Sequence, residues 1–267
     1  MLIDELPLQI LPTDLLSQFK SEFDNLVKEG FLNLHESELT MDTFSFYTSV
    51  SAVFSSKIEG ENIDLDSFIK HKRFGTKYKA DYTRKIDDIY NAYMFAQKTP
   101  LTQEAVEFSH TQITRNILQK SHQGRLRTGN MFVVTKDGKI EYVAAAPAKV
   151  KAEMSKLYND IKVLLLHELS FEEIFFFASL LHLVFVKIHP FEDGNGRTSR
   201  LLEKWFLAEK LGAKAWFIQS ERNYYNEHQT YYNNIRRLGL EYDHLDFSQA
   251  LPFLQMLPKS ILYQGKA

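Results

Sequence analysis

The sequence predicts a mainly α-helical bundle that carries one β-hairpin. Two observations point there: apolar residues recur at three- and four-residue spacing along most of the chain, and one stretch, "MFVVTKDGKIEYV", breaks that pattern with β-branched and aromatic runs on both sides of Asp137-Gly138. At 267 residues, 44% hydrophobic and 13% aromatic, the chain is long enough to bury a substantial core.

Taken in order, "DLLSQFKSEFDNLVKEG" places Leu15, Phe19, Phe23 and Leu26 on one helical face, with Gly30 positioned to stop the helix. A second helix is expected over about 42–60, with Phe46, Val50, Val53 and Phe54 apolar, serines between them, and Glu59-Gly60 at its end. A third follows in "DYTRKIDDIYNAYMFAQ" and stops before Pro100. Between these two, the basic run "KHKRFGTKYK" reads as a solvated loop rather than a nucleic-acid patch. Further helices are expected from Thr102 to about Gln119, Ala148 to His167, Phe171 to Ile188, Gly196 to Leu211 and Arg222 to Leu238. The hairpin, over about 130–143, calls for a type I′ turn at Asp137-Gly138 because that dipeptide tolerates the positive φ such a turn requires.

Composition narrows the function classes. Lys plus Arg number 32 against 34 Asp plus Glu, a formal charge of -2, so no basic field recommends nucleic acid or an acidic membrane as a partner. The absence of cysteine removes disulfides, thiolate metal sites and a cysteine nucleophile. "MLIDELPLQI" opens with acids where a signal peptide would be basic, and the longest apolar run, "IFFFASLLHLVFV", is interrupted by His182 and falls short of the roughly 20 residues that span a bilayer. A soluble, cytoplasmic protein is expected. Neither a His-Glu-x-x-His pattern nor a Cys ligand set suggests zinc hydrolysis.

The chemistry concentrates in "HPFEDGNGRTSR", which joins two helical patterns from His189 to Arg200. The free N–H groups and positive dipole end of the outgoing helix make an anion site, and Gly194 and Gly196 let the backbone approach a phosphate closely. Asn195 can donate an amide hydrogen bond from the same turn. Arg197 and Arg200, three residues apart, are neighbours on a helix surface and suited to forked phosphate contacts. Asp193 offers a hard oxygen to a phosphate-bound Mg²⁺, and His189, with an ordinary pKa of about 6.5, can take a proton from an attacking hydroxyl.

At every specified position this run resembles the signature of the Fic family, His-x-Phe-x-[Asp/Glu]-Gly-Asn-Gly-Arg-x-x-Arg. The resemblance implies a Fic-type helical bundle with a β-hairpin flap, and a protein adenylyltransferase that moves AMP from ATP to a Ser, Thr or Tyr hydroxyl of a target protein. It implies His189 as the base, Asp193 as the Mg²⁺ ligand, Gly194, Asn195, Gly196 and Arg197 as the cradle for the α- and β-phosphates, and Arg200 as the γ-phosphate contact. Phe191 would anchor the loop. "GRLRTGNMFVV" with "KIEYVAAAP" is similar to the family's flap, on which a target segment docks by strand addition, although Ala144 to Ala146 stand where the family usually has prolines. "TYYNNI" is similar to its tyrosine-rich helix and makes Tyr231 and Tyr232 candidates for nucleotide contact.

A second family pattern, [Ser/Thr]-x-x-x-Glu-[Gly/Asn], matches Ser55, Glu59 and Gly60 in "SSKIEG". The resemblance implies an N-terminal inhibitory helix whose Glu59 pairs with Arg200 and takes the place of the γ-phosphate; as a bare pattern it also fits an ordinary helix end with Gly60 as its stop. The expected organisation is a helical region over 1–100 carrying that helix, a core over 101–240 with the flap and the loop 189–200, and a tail over 241–267. Two alternatives accompany AMP transfer: removal of AMP from a modified protein, and a non-catalytic module that binds nucleotide. A homo-oligomer is compatible with either.

Overall fold

The computed structural model describes residues 6–42, 44–134 and 140–264. Its helices are α1 (Leu16–Ser21), α2 (Asn25–Leu32), α3 (Phe46–Ile58), α4 (Leu65–Phe74), α5 (Ala80–Ala96), α6 (Gln103–Ile113), α7 (Pro147–Leu166), α8 (Phe171–Ile188), α9 (Asn195–Leu211), α10 (Ser220–Asn226), α11 (His228–Arg236), α12 (Leu251–Leu254) and α13 (Met256–Gln264). Strands β1 (Phe132–Val134) and β2 (Ile140–Val143) pair antiparallel. The fold is therefore the expected helical bundle with one hairpin.

Helix α8 is the axis of the bundle. It opens on a capping box in which Ser170 and Glu173 exchange hydrogen bonds, and it is apolar nearly all round, as a helix wrapped by others must be. Helices α1, α7, α9, α12 and α13 pack against it, and one continuous hydrophobic core runs from Leu6 to Ile261. Helix α3 lies on the far side of α9 between α5 and α10, and its serines Ser49, Ser51, Ser55 and Ser56 are all buried.

In the hairpin Phe132 pairs with Val143, Val133 with Tyr142 and Val134 with Ile140, with an irregularity between Val133 and Val134. Tyr142 is buried, whereas Phe132, Val134 and Ile140 are about half exposed on the opposite face. The type I′ turn expected at Asp137-Gly138 lies outside the described residues.

Four local expectations need correction. The first predicted helix is two: Asp24 leaves helical conformation and caps α2 by accepting from the Leu26 N–H, while Gly30 sits inside α2, where a Cβ would come within 2.7 Å of Ile261 Cγ2. That glycine is a packing contact between α2 and α13, not a stop. The first half of "KHKRFGTKYK" is helical, because Asp64 caps α4, Phe68 is buried beneath it, and Gly75 ends it at φ 67°. The helix from Thr102 ends at Ile113, where Thr114 Oγ1 donates back to the His110 carbonyl. The segment 222–238 bends at Glu227 into α10 and α11, which lets Tyr224 and Tyr231 pack together against Phe253.

Candidate active site

The loop between α8 and α9 begins with His189, at φ 52° the only non-glycine residue with positive φ among the described residues. Its N–H still bonds to the Phe185 carbonyl, so the helix closes and turns in one step. Gly194 then takes φ 79° and leads directly into α9; a Cβ there would meet Thr114 Cγ2 at 2.7 Å. Phe191 is fully buried and stacks on His110 at 3.7 Å between ring centroids.

Asn195 does something other than what its sequence position suggested. Its side chain is turned inward and spans the loop, accepting from the Phe191 N–H at 2.9 Å and donating to the Phe191 carbonyl at 2.8 Å. The amide closes the turn, so the free donor at this residue is its backbone N–H in the first turn of α9.

Two residues that sequence reasoning missed hold the loop from outside. Arg127, almost fully buried, donates to the carbonyls of His189 (2.6 Å), Ile188 (3.2 Å), Gly129 (2.7 Å) and Ala145 (2.5 Å) and so ties the hairpin to the loop. His110 accepts from the Gly124 N–H at Nδ1 and lies 2.9 Å from the Asp193 carbonyl at Nε2, which makes Nε2 the protonated nitrogen. Burial pushes its pKa down to about 4. The available signals were a histidine on the buried face of a short helix, "EFSHTQI", and an arginine between the glycines of "GRLRTG".

Burial also lowers the pKa of His189 to about 4. Its Nδ1 faces the Val186 carbonyl at 3.3 Å; a carbonyl only accepts, so the proton is on Nδ1 and Nε2 carries the lone pair. Lys187, also buried, lies with Nζ 4.5 Å from the Tyr142 ring centroid, and desolvation lowers its pKa to about 8.

One pocket gathers about half of the candidate residues. Glu59, Tyr142, His189, Gly196, Arg200, Tyr231 and Tyr232 all line it, with Val133 contributed by the hairpin. Arg200 is fully buried and closely held: Nε donates to Ser55 Oγ at 3.0 Å, Nη2 to the Ser55 carbonyl at 3.0 Å and to Glu59 Oε1 at 2.7 Å. Glu59 is the C-terminal cap residue of α3, and Gly60 follows at φ 91°. Its carboxylate reaches the N-terminal turn of α9 so closely that a Cβ on Gly196 would lie 2.5 Å from Oε1. Burial would raise the Glu59 pKa, but Arg200 and then Arg197 outweigh it and hold the carboxyl below its ordinary value. The charge stays on.

Arg197 is the counterpart. It is buried, its Nε and Nη1 have no hydrogen-bond partner among the described residues, and its nearest carboxylate oxygen, Asp193 Oδ1, is 3.6 Å away. Two orphaned donors of a buried guanidinium beside a helix N-terminus describe an anion cradle. Asp193 itself is half exposed and accepts from the Gly194 N–H. Among the described residues no three metal-ligating side chains cluster, and at the loop Asp193 offers a single half-exposed carboxylate. No helix among the described residues is long and apolar enough to cross a membrane.

Comparison with known proteins defines the class. Residues 100–207 match the model of the Fic/DOC family, a segment that runs from α6 through the loop and most of α9. The chain is 37% identical over 98 residues, 34% of its length, to the protein adenylyltransferase Fic of Nematostella vectensis, and the match covers 20% of that protein. It thus spans about a fifth of the length of the curated relative it matches. Solved structures share the whole architecture: a Fic family protein from Desulfovibrio desulfuricans G20 superposes with TM-score 0.73 at 18% identity over 97% of this chain and 76% of that one. A Fic domain containing signaling protein from Bacteroides thetaiotaomicron gives 0.63 at 19% over 94% and 92%, and Fic-1 from C. elegans 0.66 at 16% over 95% and 73%. Residues 100–207 are a Fic/DOC family domain.

Proposed function

We propose that this protein transfers AMP from ATP to a hydroxyl of a target protein, and that Glu59 holds the reaction in check. One observation carries the reading: a carboxylate from α3 sits in an anion cradle at the start of α9, paired with Arg200 while Arg197 beside it keeps two buried donors unused. A triphosphate has the charge and length to occupy both positions.

In this reading the first-turn N–H groups of α9 and Arg197 bind the α- and β-phosphates, and Arg200 takes the γ-phosphate once Glu59 has left. The His189 Nε2 lone pair accepts the proton of the target hydroxyl as its oxygen attacks the α-phosphorus. The bond from that phosphorus to the α,β-bridging oxygen breaks, and pyrophosphate departs with the charge that the guanidiniums neutralise. Asp193 would hold Mg²⁺, which supplies further charge neutralisation along the phosphates. Burial keeps the His189 imidazole neutral at physiological pH, so its Nε2 lone pair is free to take that proton.

The hairpin is the proposed docking surface for an extended target segment. Its β2 edge is already engaged, since Val143 donates to the Leu240 carbonyl at 2.7 Å, which leaves the β1 edge for strand addition. Removal of AMP is a second reading, favoured by the ionised Glu59 facing the same pocket as His189, where it could orient a water.

Incubation with α-labelled ATP in a cell lysate tests the reading. Glu59→Gly is expected to label itself or a target at least about tenfold more than the wild type, and adding His189→Ala to reduce that by a factor of about 10² to 10⁴. Equal labelling of wild type and Glu59→Gly would overturn the inhibitory role of Glu59. Loss of AMP from a pre-modified target with the wild type, abolished by Glu59→Gly, would instead support the second reading.

A further inference from the structure

Behind Arg200 runs a line of buried polar groups that the reaction as described leaves unused. Arg200 Nη1 lies 3.4 Å from the Tyr231 hydroxyl, that hydroxyl 3.0 Å from His182 Nε2, and His182 Nδ1 2.7 Å from Glu203 Oε2. Tyr224 donates to the same Glu203 oxygen at 2.8 Å. Arg200, His182 and Glu203 are fully buried and Tyr231 is 1% exposed.

Donor chemistry fixes the direction of this chain. A guanidinium has no acceptor, so the Tyr231 oxygen accepts from Arg200; the Glu203 carboxylate only accepts, which puts a proton on His182 Nδ1 and leaves Nε2 as the group able to take the Tyr231 proton. His182 is then protonated on Nδ1 and donates to the Glu203 carboxylate. Every link points the same way, from the guanidinium toward the buried carboxylate, and in a low-dielectric interior such links reinforce one another. Glu203 Oε1 has no hydrogen-bond partner among the described residues, so the carboxylate is satisfied only through His182 and Tyr224.

Arg200 has a second set of restraints on its other edge. Ser55 holds Nε and Nη2, and Glu59 shares Nη2. When Glu59 departs, Nη2 loses one acceptor, while Tyr231 on Nη1 and Ser55 on Nε still fix the plane of the fork. An arginine without those restraints would have to be ordered by the incoming phosphate, at a cost in binding.

We infer that Glu203, His182 and Tyr231 form a positioning relay that keeps Arg200 aimed at the terminal phosphate, and so makes the site selective for nucleoside triphosphates over diphosphates. The inference deepens the functional reading above and rests on it. A merely structural role for the same residues would change stability, or weaken all nucleotides alike.

The test is calorimetric binding of ATP and ADP to the full chain carrying Glu59→Gly and His189→Ala, which opens the cradle and prevents turnover. Adding Tyr231→Phe, which removes only the hydroxyl, is expected to weaken ATP about tenfold and ADP less than about twofold, the size of one hydrogen bond to a charged group. Glu203→Gln, which keeps the shape and removes the charge, is expected to weaken ATP about threefold and leave ADP unchanged. Nitrogen-15 NMR of the wild type is expected to find a proton on Nδ1 of His182 and none on Nε2, a readout that needs neither variant to fold. Equal losses for ATP and ADP, no loss for either, or a proton on Nε2 of His182 would overturn the relay. If the parent binds no nucleotide, the functional reading falls and the relay with it; a failed relay alone leaves ATP binding in place.

Discussion

At the scale of single residues, two histidines decide how the site responds to pH. His110 and His189 both have pKa values lowered to about 4, chiefly by burial, against an unfolded value of about 6.5. Between those limits the unfolded chain binds more protons than the folded one, so stability falls as pH drops from about 6.5 toward 4. For the fully buried His110 the slope approaches about 1.4 kcal/mol per pH unit. Thermal melts from pH 7 to 5 should show this loss, and His110→Asn should reduce it; an unchanged slope would mean that His110 takes up its proton as readily in the fold as in the unfolded chain. Glu59 adds a lower window of the ordinary carboxylate kind, since its depressed pKa contributes stability above about pH 4.5 that is lost as pH falls further.

At the scale of elements, α3 is anchored twice. Beyond the Ser55–Arg200 contacts, Ser51 sits in a fully buried cluster where Lys204 Nζ reaches Ser51 Oγ at 2.6 Å and Glu221 Oε2 at 2.5 Å, and the Tyr93 hydroxyl donates to Glu221 Oε1 at 2.7 Å. This joins α3, α5, α9 and α10 at one point. Relief of the proposed inhibition is therefore expected in the last turn of α3, at Glu59 and the positive-φ Gly60, rather than by detachment of the helix. Lys204→Met strands a buried carboxylate and should cost about 3 to 5 kcal/mol in urea unfolding, with much of that recovered by adding Glu221→Gln. A loss below about 1 kcal/mol would show that the cluster contributes little.

At the scale of the whole molecule, residues 9–11 and helix α13 are both built into the bundle. The N–H groups of Gln9, Ile10 and Leu11 all bond to the buried Asp160 carboxylate on α7, at 2.7, 2.9 and 3.0 Å, while α2 packs on α13 through Gly30. Asp160→Ala leaves three backbone donors without that partner and is expected to destabilise the protein by about 2 to 4 kcal/mol. A calorimetric melting temperature unchanged from wild type would show that the N-terminal segment docks on apolar contacts alone. Helix α13 also packs on α8, the helix that leads into His189.

Much of this was legible in the sequence, for physical reasons. A helix buried on all sides leaves an unbroken apolar run, so α8 could be read to the residue; the hairpin could be read because Asp137-Gly138 separates two β-branched runs. The dense motif from His189 to Arg200 displayed its candidate residues within twelve positions, and Glu59 was found through a short pattern of its own. What periodicity could not disclose were interruptions set by contacts between distant segments: Gly30 against Ile261, the cap at Asp24, the bend at Glu227. The same holds for Arg127, for His110 and for the line from Glu203 to Arg200, whose members have no common sequence pattern. Sequence alone determined which chemical groups this protein owns and which helices carry them. Only the tertiary structure decided which of those groups meet, because a guanidinium acquires its partners from whichever helices pack around it, and for Arg200 these are α3 and α11.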